Sequence, residues 1–142
     1  MRNIALLLRY DGARYHGWQT QQNALTVQEI LEHALRRLTG EKIPKGVAGC
    51  SRTDAGVHAN AYVANFFSGC TIPAERFPAA MRPFLPPDIA VVRAADVAPE
   101  FHARFSCVKK EYVYKLYGGK APDPFLYRRA LYHPYPLNVS LM

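Results

Sequence analysis

The residues of this sequence that could do chemistry gather mostly in one loop. Asp54 follows Arg52-Thr53 and precedes Ala55-Gly56, with His58 close behind. A neighbouring opposite charge favours an ionised carboxylate, so Arg52 would hold Asp54 as an anion. Gly56 would let a substrate backbone or base approach with no side chain in the way. An ionised, accessible aspartate suits a nucleophile. The run Thr53-Asp54-Ala55-Gly56 equally suits an ordinary turn with the aspartate as its cap, and on these residues alone both readings stand.

Other chemistries find little support. His16, His33, His58, His102 and His133 are scattered, with no HExxH and no Cys/His cluster, so no metal site is expected. Phosphate-cradling GxxxxGK[ST] and GxGxxG loops are absent from the sequence. Cys50, Cys70 and Cys107 are odd in number and lack CxxC spacing, which argues against a disulfide framework or zinc cage and for a reducing compartment. Cys50 and Cys107 stand in apolar strand contexts where burial is the default, against a Cys–His nucleophile. A small hydrolase built on Asp54 would lack an evident second acid/base partner.

The elements that must position Asp54 follow from pattern. With 142 residues, 49% apolar and 20% charged, the chain suits one folded domain rather than a disordered segment. Its net charge of +7 and pI near 9.5 point toward polyanionic partners. No apolar run is long enough to cross a membrane as a helix, and the polar start Met1-Arg2-Asn3 leads into a short strand rather than a signal peptide. Residues 3–10 read as a buried strand ending at the turn Asp11-Gly12, followed by a polar loop over 13–25. Thr26-Val27-Gln28-Glu29 is a capping box that opens a helix stopped by Gly40. Residues 47–50 and 61–67 read as a hairpin-like strand pair bracketing the Asp54 loop.

A short second helix over 74–85 is interrupted by Pro78 and Pro83. Residues 89–95 form a fourth strand, and 109–117 a long fifth one with Lys110, Tyr112, Tyr114 and Leu116 on one face. One more strand is expected over 127–135, and then a helix start with Asn138 as N-cap, where the chain stops. The order is βαββαβ plus additional strands. This is an α+β, ferredoxin-like split βαβ pattern, with an antiparallel sheet that the fifth strand would extend and helices on one face; RNA-recognition domains share the scaffold.

The Asp54 loop also carries a resemblance. Ser51-Arg52-Thr53-Asp54-Ala55-Gly56-Val57-His58-Ala59 closely resembles the GRTDAGVHA signature of the TruA family of tRNA pseudouridine synthases. The likeness continues through Tyr10-Asp11-Gly12, Tyr15-His16-Gly17-Trp18-Gln19, Thr26-Val27-Gln28-Glu29 and Asp88-Ile89-Ala90-Val91. It extends to Phe101-His102-Ala103-Arg104-Phe105-Ser106 and to Lys110-Glu111-Tyr112-Val113-Tyr114. It implies isomerisation of uridine to pseudouridine in the anticodon stem-loop of tRNA by a cytoplasmic homodimer, with no metal or cofactor. Asp54 resembles the catalytic aspartate, Arg52 the arginine that extrudes or holds the nucleotide, and Tyr112 the tyrosine that stacks on the uracil. Attack by Asp54 on C6 of the base and attack on the ribose C1′ both remain open. On its own, Tyr112 reads as ordinary strand packing.

Arg14, His16, Gln19 and the glutamines after it lie in the long loop with Trp18, and with His58 they are candidate RNA contacts, while Trp18 alternatively anchors the loop to the core. Arg36, Arg37, Lys42 and Lys45 read as solvated cations near a helix C-terminus. Ser51 stands where the family usually has Gly, and Lys110 where Arg is usual. Family members are twice as long, so residues 1–142 resemble the N-terminal half, with the C-terminal domain absent and the expected cleft incomplete. The isolated chain is therefore expected to fold but turn over poorly. The alternative is a noncatalytic RNA-binding module of ferredoxin-like fold.

Overall fold

Alternation along the first strand sets the architecture. The computed structural model describes residues 1–43 and 45–142, and it divides into two units, Met1–Val108 and Lys109–Met142. In the first unit the elements are β1 (Arg2–Tyr10), α1 (Val27–Thr39), β2 (Ala48–Gly49), β3 (Ala59–Ser68), α2 (Phe77–Met81) and β4 (Ile89–Val97). Every second residue of β1, namely Ile4, Leu6, Leu8 and Tyr10, is buried. Facing them in register are Phe66, Ala64 and Tyr62 of β3. Val91 and Ile89 of β4 oppose Leu8 and Tyr10 from the other side. A period of two places these side chains on one face of the sheet.

That face is covered by α1, through Val27, Leu31, Ala34 and Leu35, and by α2, through Phe77 and Met81. Fully buried leucines such as Leu31 and Leu35 contribute about 1.5–3 kcal/mol each by leaving water. The sheet order is β2-β3-β1-β4, with every neighbouring pair antiparallel. Hence β1 and β2 run parallel across β3, and β3 and β4 run parallel across β1. Each parallel pair is joined by a helical crossover.

The expected caps of α1 are present. The Thr26 side chain accepts from Glu29 N–H at 3.4 Å, and Gly40 closes the helix at φ +71°. Two further amides of the first turn find partners in the preceding loop: Val27 N–H donates to Gly17 O at 3.2 Å and Gln28 N–H to Trp18 O at 3.0 Å. The start of α1 thereby pins that loop. The expected helix over 74–85 is α-helical only over Phe77–Met81, flanked by 3₁₀ turns at Ala74–Arg76 and Arg82–Phe84. Pro78 fits the first turn, where its missing amide is no loss, and Pro83 lies in the tighter turn that follows.

In the second unit the expected fifth strand over 109–117 shortens to β5 (Leu116–Tyr117). The expected strand over 127–135 shortens to β6 (Leu131–Tyr132). These pair with each other in parallel, so β5 does not extend the four-stranded sheet as its pattern suggested. Tyr112 and Tyr114 are exposed and outside any strand. Alternation defines a face, but a strand also needs a hydrogen-bonded neighbour, and 109–115 has none in strand register among the described residues. At the end of the chain a single 3₁₀ turn, Val139–Leu141, stands where a helix start was expected, and the Asn138 side chain caps no amide there.

Candidate active site

Three chain segments meet at one end of the sheet because the register brings their strand ends together. Tyr10, the last residue of β1, is opposite Ala59, the first of β3, and opposite Ile89, the first of β4. The loop after β1, the loop before β3 and the turn before β4 therefore emerge side by side. Asp88 ties the first to the last. Its carbonyl accepts from Asp11 N–H at 2.9 Å, and its carboxylate accepts from Arg14 Nε and from the Tyr15 hydroxyl, both at 2.7 Å.

Burial alone would push the Asp88 carboxyl up, but the hydrogen bonds from Arg14 and Tyr15 and the Arg14 charge outweigh it and hold it below its ordinary 3.8. Burial and the Asp88 carboxylate push the Tyr15 phenol up to about 12. A carboxyl depressed in the folded state stabilises the fold above its unfolded value and loses that contribution as pH falls through the folded value. Asp88→Asn is therefore expected to lower stability at neutral pH and to flatten its decline in acid. Urea denaturation from about pH 7 to about pH 3 tests this, and parallel curves for variant and parent would refute it.

The Asp54 loop sits on the loop after β1 at van der Waals limits. A Cβ on Gly12 would lie 1.9 Å from Val57 O, and one on Gly17, whose φ is +83°, would lie 2.1 Å from Thr53 O. Trp18 N–H donates to that same Thr53 carbonyl at 3.2 Å, and Gly56 N–H donates to Tyr15 O at 3.1 Å. Beneath the loop is an aromatic cluster in which the Trp18 and Tyr62 rings lie 4.3 Å apart and Tyr10 meets Tyr62 edge-on at 5.6 Å. Trp18 is buried, so it anchors its loop to the core. The cluster's hydroxyls reach up: that of Tyr10 is hydrogen-bonded to the Thr53 hydroxyl at 3.1 Å, and that of Tyr62 donates to Ser51 O. Burial raises both phenols, Tyr10 to about 12 and Tyr62 higher, so both stay neutral as hydrogen-bonding supports.

On this support His16, Gln19, Gln21, Arg52, Thr53, Asp54 and Ala55 line a cleft of about 330 Å³. Four of the candidates, Asp54, Arg52, His16 and Gln19, are thus brought together. Arg14 lies instead on Asp88, and the Nδ1 atom of His58 lies 2.9 Å from Asp11 Oδ1 and accepts from Gly12 N–H at 3.0 Å. Tyr112 belongs to the second unit and is exposed. Arg52 makes no direct ion pair with Asp54 among the described residues; the two share a cleft wall instead of the close contact their spacing suggested.

The turn at Asp54 exists, with Val57 N–H donating to Asp54 O at 3.3 Å and Gly56 at φ +80°. The Asp54 carboxylate takes no part in it. Asp11 and Asp123 cap the amides of Ala13 and Phe125, Asp88 holds Arg14 and Tyr15, and Asp96 pairs with Arg2. Among the described aspartates, Asp54 alone has a carboxylate without a hydrogen bond or ion pair. An exposed, unengaged carboxylate beside a guanidinium can attack an electrophilic carbon of a substrate that the cation helps to hold.

Sequence reasoning missed a residue that the structure adds. Arg104 joins Arg52, Ser51, Gly49, Trp18, Gln19 and Gln28 around a second, adjoining cleft of about 130 Å³. The available signal was the 101–106 motif. Among the described residues no group of three His, Cys, Asp or Glu side chains could hold a metal ion, and no helix is long and apolar enough to cross a membrane.

Residues 7–106, which take in both clefts, match the model of a family described as tRNA pseudouridine synthase. The chain is similar to tRNA pseudouridine synthase A of Thermoanaerobacter sp. (strain X514), at 46% identity over 142 residues, all of this chain and 57% of that protein. It is likewise similar to tRNA pseudouridine synthase A of Ruminiclostridium cellulolyticum, at 44% identity over the whole chain and 57% of the relative. For the protein of that name from Moorella thermoacetica the figures are 45% over 141 residues, 98% of this chain and 56% of the relative. The chain spans little more than half the length of these curated relatives. With the family match running from β1 through the Asp54 loop to the Arg104 turn, the chain belongs to the tRNA pseudouridine synthase family.

Proposed function

We propose that the complete protein isomerises uridine to pseudouridine in the anticodon stem-loop of tRNA, in the cytoplasm, with Asp54 as nucleophile. The observation that carries this reading is the unengaged Asp54 carboxylate in the cleft it shares with Arg52. In this reaction the bond from N1 to C1′ breaks, the uracil rotates while held, and C5 joins C1′. The proton leaves C5 and N1 becomes protonated, so the sum is an isomerisation that consumes no cofactor. Asp54 serves by attack on C6 or on C1′, and neither route needs a redox partner.

Arg52 holds the displaced nucleotide, and His16 and Gln19 contact the RNA around it. Tyr112 supplies a stacking face for the uracil, since a ring offers a π-surface and a hydroxyl at its rim. Arg14 and His58 contribute through the loops they hold. The order β2-β3-β1-β4 supports a ferredoxin-like scaffold, and the complete enzyme works as a homodimer, as the family resemblance implies. On this reading residues 1–142 alone turn over little, because the uracil pocket needs a further wall to exclude water.

Tritium release from 5-labelled uridine in a tRNA transcript, with mass mapping of the modified fragment, tests the reading on the full-length protein. Release together with modification in the anticodon arm is expected. Modification elsewhere would refute the assigned position. Tight tRNA binding with no release would favour the noncatalytic RNA-binding module, for which the sheet scaffold and basic charge are sufficient.

A further inference from the structure

The segment from 101 to 106 stands out in the sequence, yet the Asp54 cleft gives it no role. Its structure suggests one. After β4 the chain turns back across the face of the sheet opposite the helices, where Asn3 and Asn65 are buried. Asn65 Nδ2 donates to Asn3 Oδ1 at 2.9 Å, and Asn3 Nδ2 donates to the carbonyls of Ala98 at 3.0 Å and Phe101 at 2.8 Å. Asn65 Oδ1 accepts from Ala103 N–H at 2.8 Å. Two side-chain amides from neighbouring central strands thus clip the returning chain to the sheet.

The turn beyond is closed by its own groups. Ser106 Oγ accepts from His102 N–H at 3.1 Å, Ser106 N–H donates to His102 O at 2.8 Å, and His102 Nδ1 accepts from Arg104 N–H at 3.2 Å. Ala103 is buried. Arg104 lies at the apex, exposed, and lines the cleft that Arg52 also lines. No carboxylate lines that cleft, and neither guanidinium has an ion-pair partner among the described residues. Two cations held on one small polar cleft repel unless an anion joins them, and planar guanidinium forks match the oxygens of a phosphate. Because Arg52 lines both clefts, an anion between Arg52 and Arg104 would lie next to whatever occupies the Asp54 cleft.

We propose that the Arg52–Arg104 cleft seats a backbone phosphate of the RNA beside the target nucleotide, and that Asn3 and Asn65 are positioning residues that present Arg104 to it. The inference rests on the tRNA reading above and assigns that site a second binding element. Binding of an unmodified tRNA transcript to the full-length protein across a salt series tests it. Arg104→Ala should weaken binding about 10-fold and reduce the slope of log affinity against log salt by about one. Arg104→Lys should restore the slope but not the full affinity, because an ammonium keeps the charge and loses the fork. In steady-state turnover Arg104→Ala should raise KM and leave kcat within a few-fold.

Asn65→Ala should reproduce the Arg104→Ala loss, and the double variant should lose no more than either single one. Full additivity would refute the positioning role. Circular dichroism checks that the Asn65 variant folds, and the two Arg104 variants, altering an exposed side chain, decide the phosphate seat independently. A parental salt slope in Arg104→Ala overturns the seat even while tritium release upholds the pseudouridine reading. A parent protein that neither binds tRNA nor releases tritium overturns both.

Discussion

Asp54→Asn in the full-length protein is expected to reduce tritium release from 5-labelled tRNA by about four orders of magnitude, with tRNA affinity within a few-fold of the parent. The carboxamide keeps the size and shape of the side chain but lacks the negative charge and lone-pair strength of a nucleophile. The structure makes this substitution unusually clean. Because the Asp54 carboxylate holds no backbone amide and pairs with no cation among the described residues, its replacement breaks no contact that supports the loop. Asp11→Asn is the informative contrast, since Asp11 caps Ala13 N–H and lies 2.9 Å from His58. Its loss should register in thermal stability as well as rate. Release by Asp54→Asn within tenfold of the parent would return Asp54 to the role of a turn residue.

Gly17→Ala should lower turnover by about 100-fold and stability by about 2 kcal/mol or more, although Gly17 contributes no side chain to the chemistry. Two costs combine. The backbone sits at φ +83°, where an L side chain is strained, and the new Cβ would lie 2.1 Å from Thr53 O. That carbonyl precedes Asp54 directly and accepts from Trp18 N–H, so relief of the collision must move the peptide of Asp54 itself. Gly17 O also accepts from Val27 N–H, which extends the disturbance to the start of α1. Gly40→Ala separates the two costs, because Gly40 has φ +71° with nothing within 4 Å of the added carbon. It should lose about 1–2 kcal/mol and keep parental turnover. Paired thermal melts and tritium release would show the difference, and a Gly17→Ala protein with parental activity would mean that the loop tolerates displacement.

What the sequence determined by itself is what neighbours along the chain decide. The apolar alternation of β1, the capping box at Thr26, the stop at Gly40 and the proline-interrupted second helix depend on residues within a few positions of one another, and each forms near its expected place. The Asp54 loop stood out for the same reason, since Arg52, Asp54 and Gly56 lie in one short run, but the close Arg52–Asp54 contact that this spacing suggested is absent among the described residues, and the two share a cleft wall instead. Strand 109–117 had the right pattern and still did not form at that length, because a strand is completed by a neighbour that pattern cannot supply.

The bonds that make the site come from far away in sequence: Arg14 and Tyr15 to Asp88, Tyr10 to Thr53, Asn65 to Ala103. No local rule pairs these residues. Nor could spacing show that Asp54 alone among the described aspartates remains unengaged, or that Arg104 shares a cleft with Arg52. Residue types set which groups can ionise, donate or attack, whereas the register of β1 against β3 and β4 decides which of them meet, since it alone brings the three loop-bearing strand ends together.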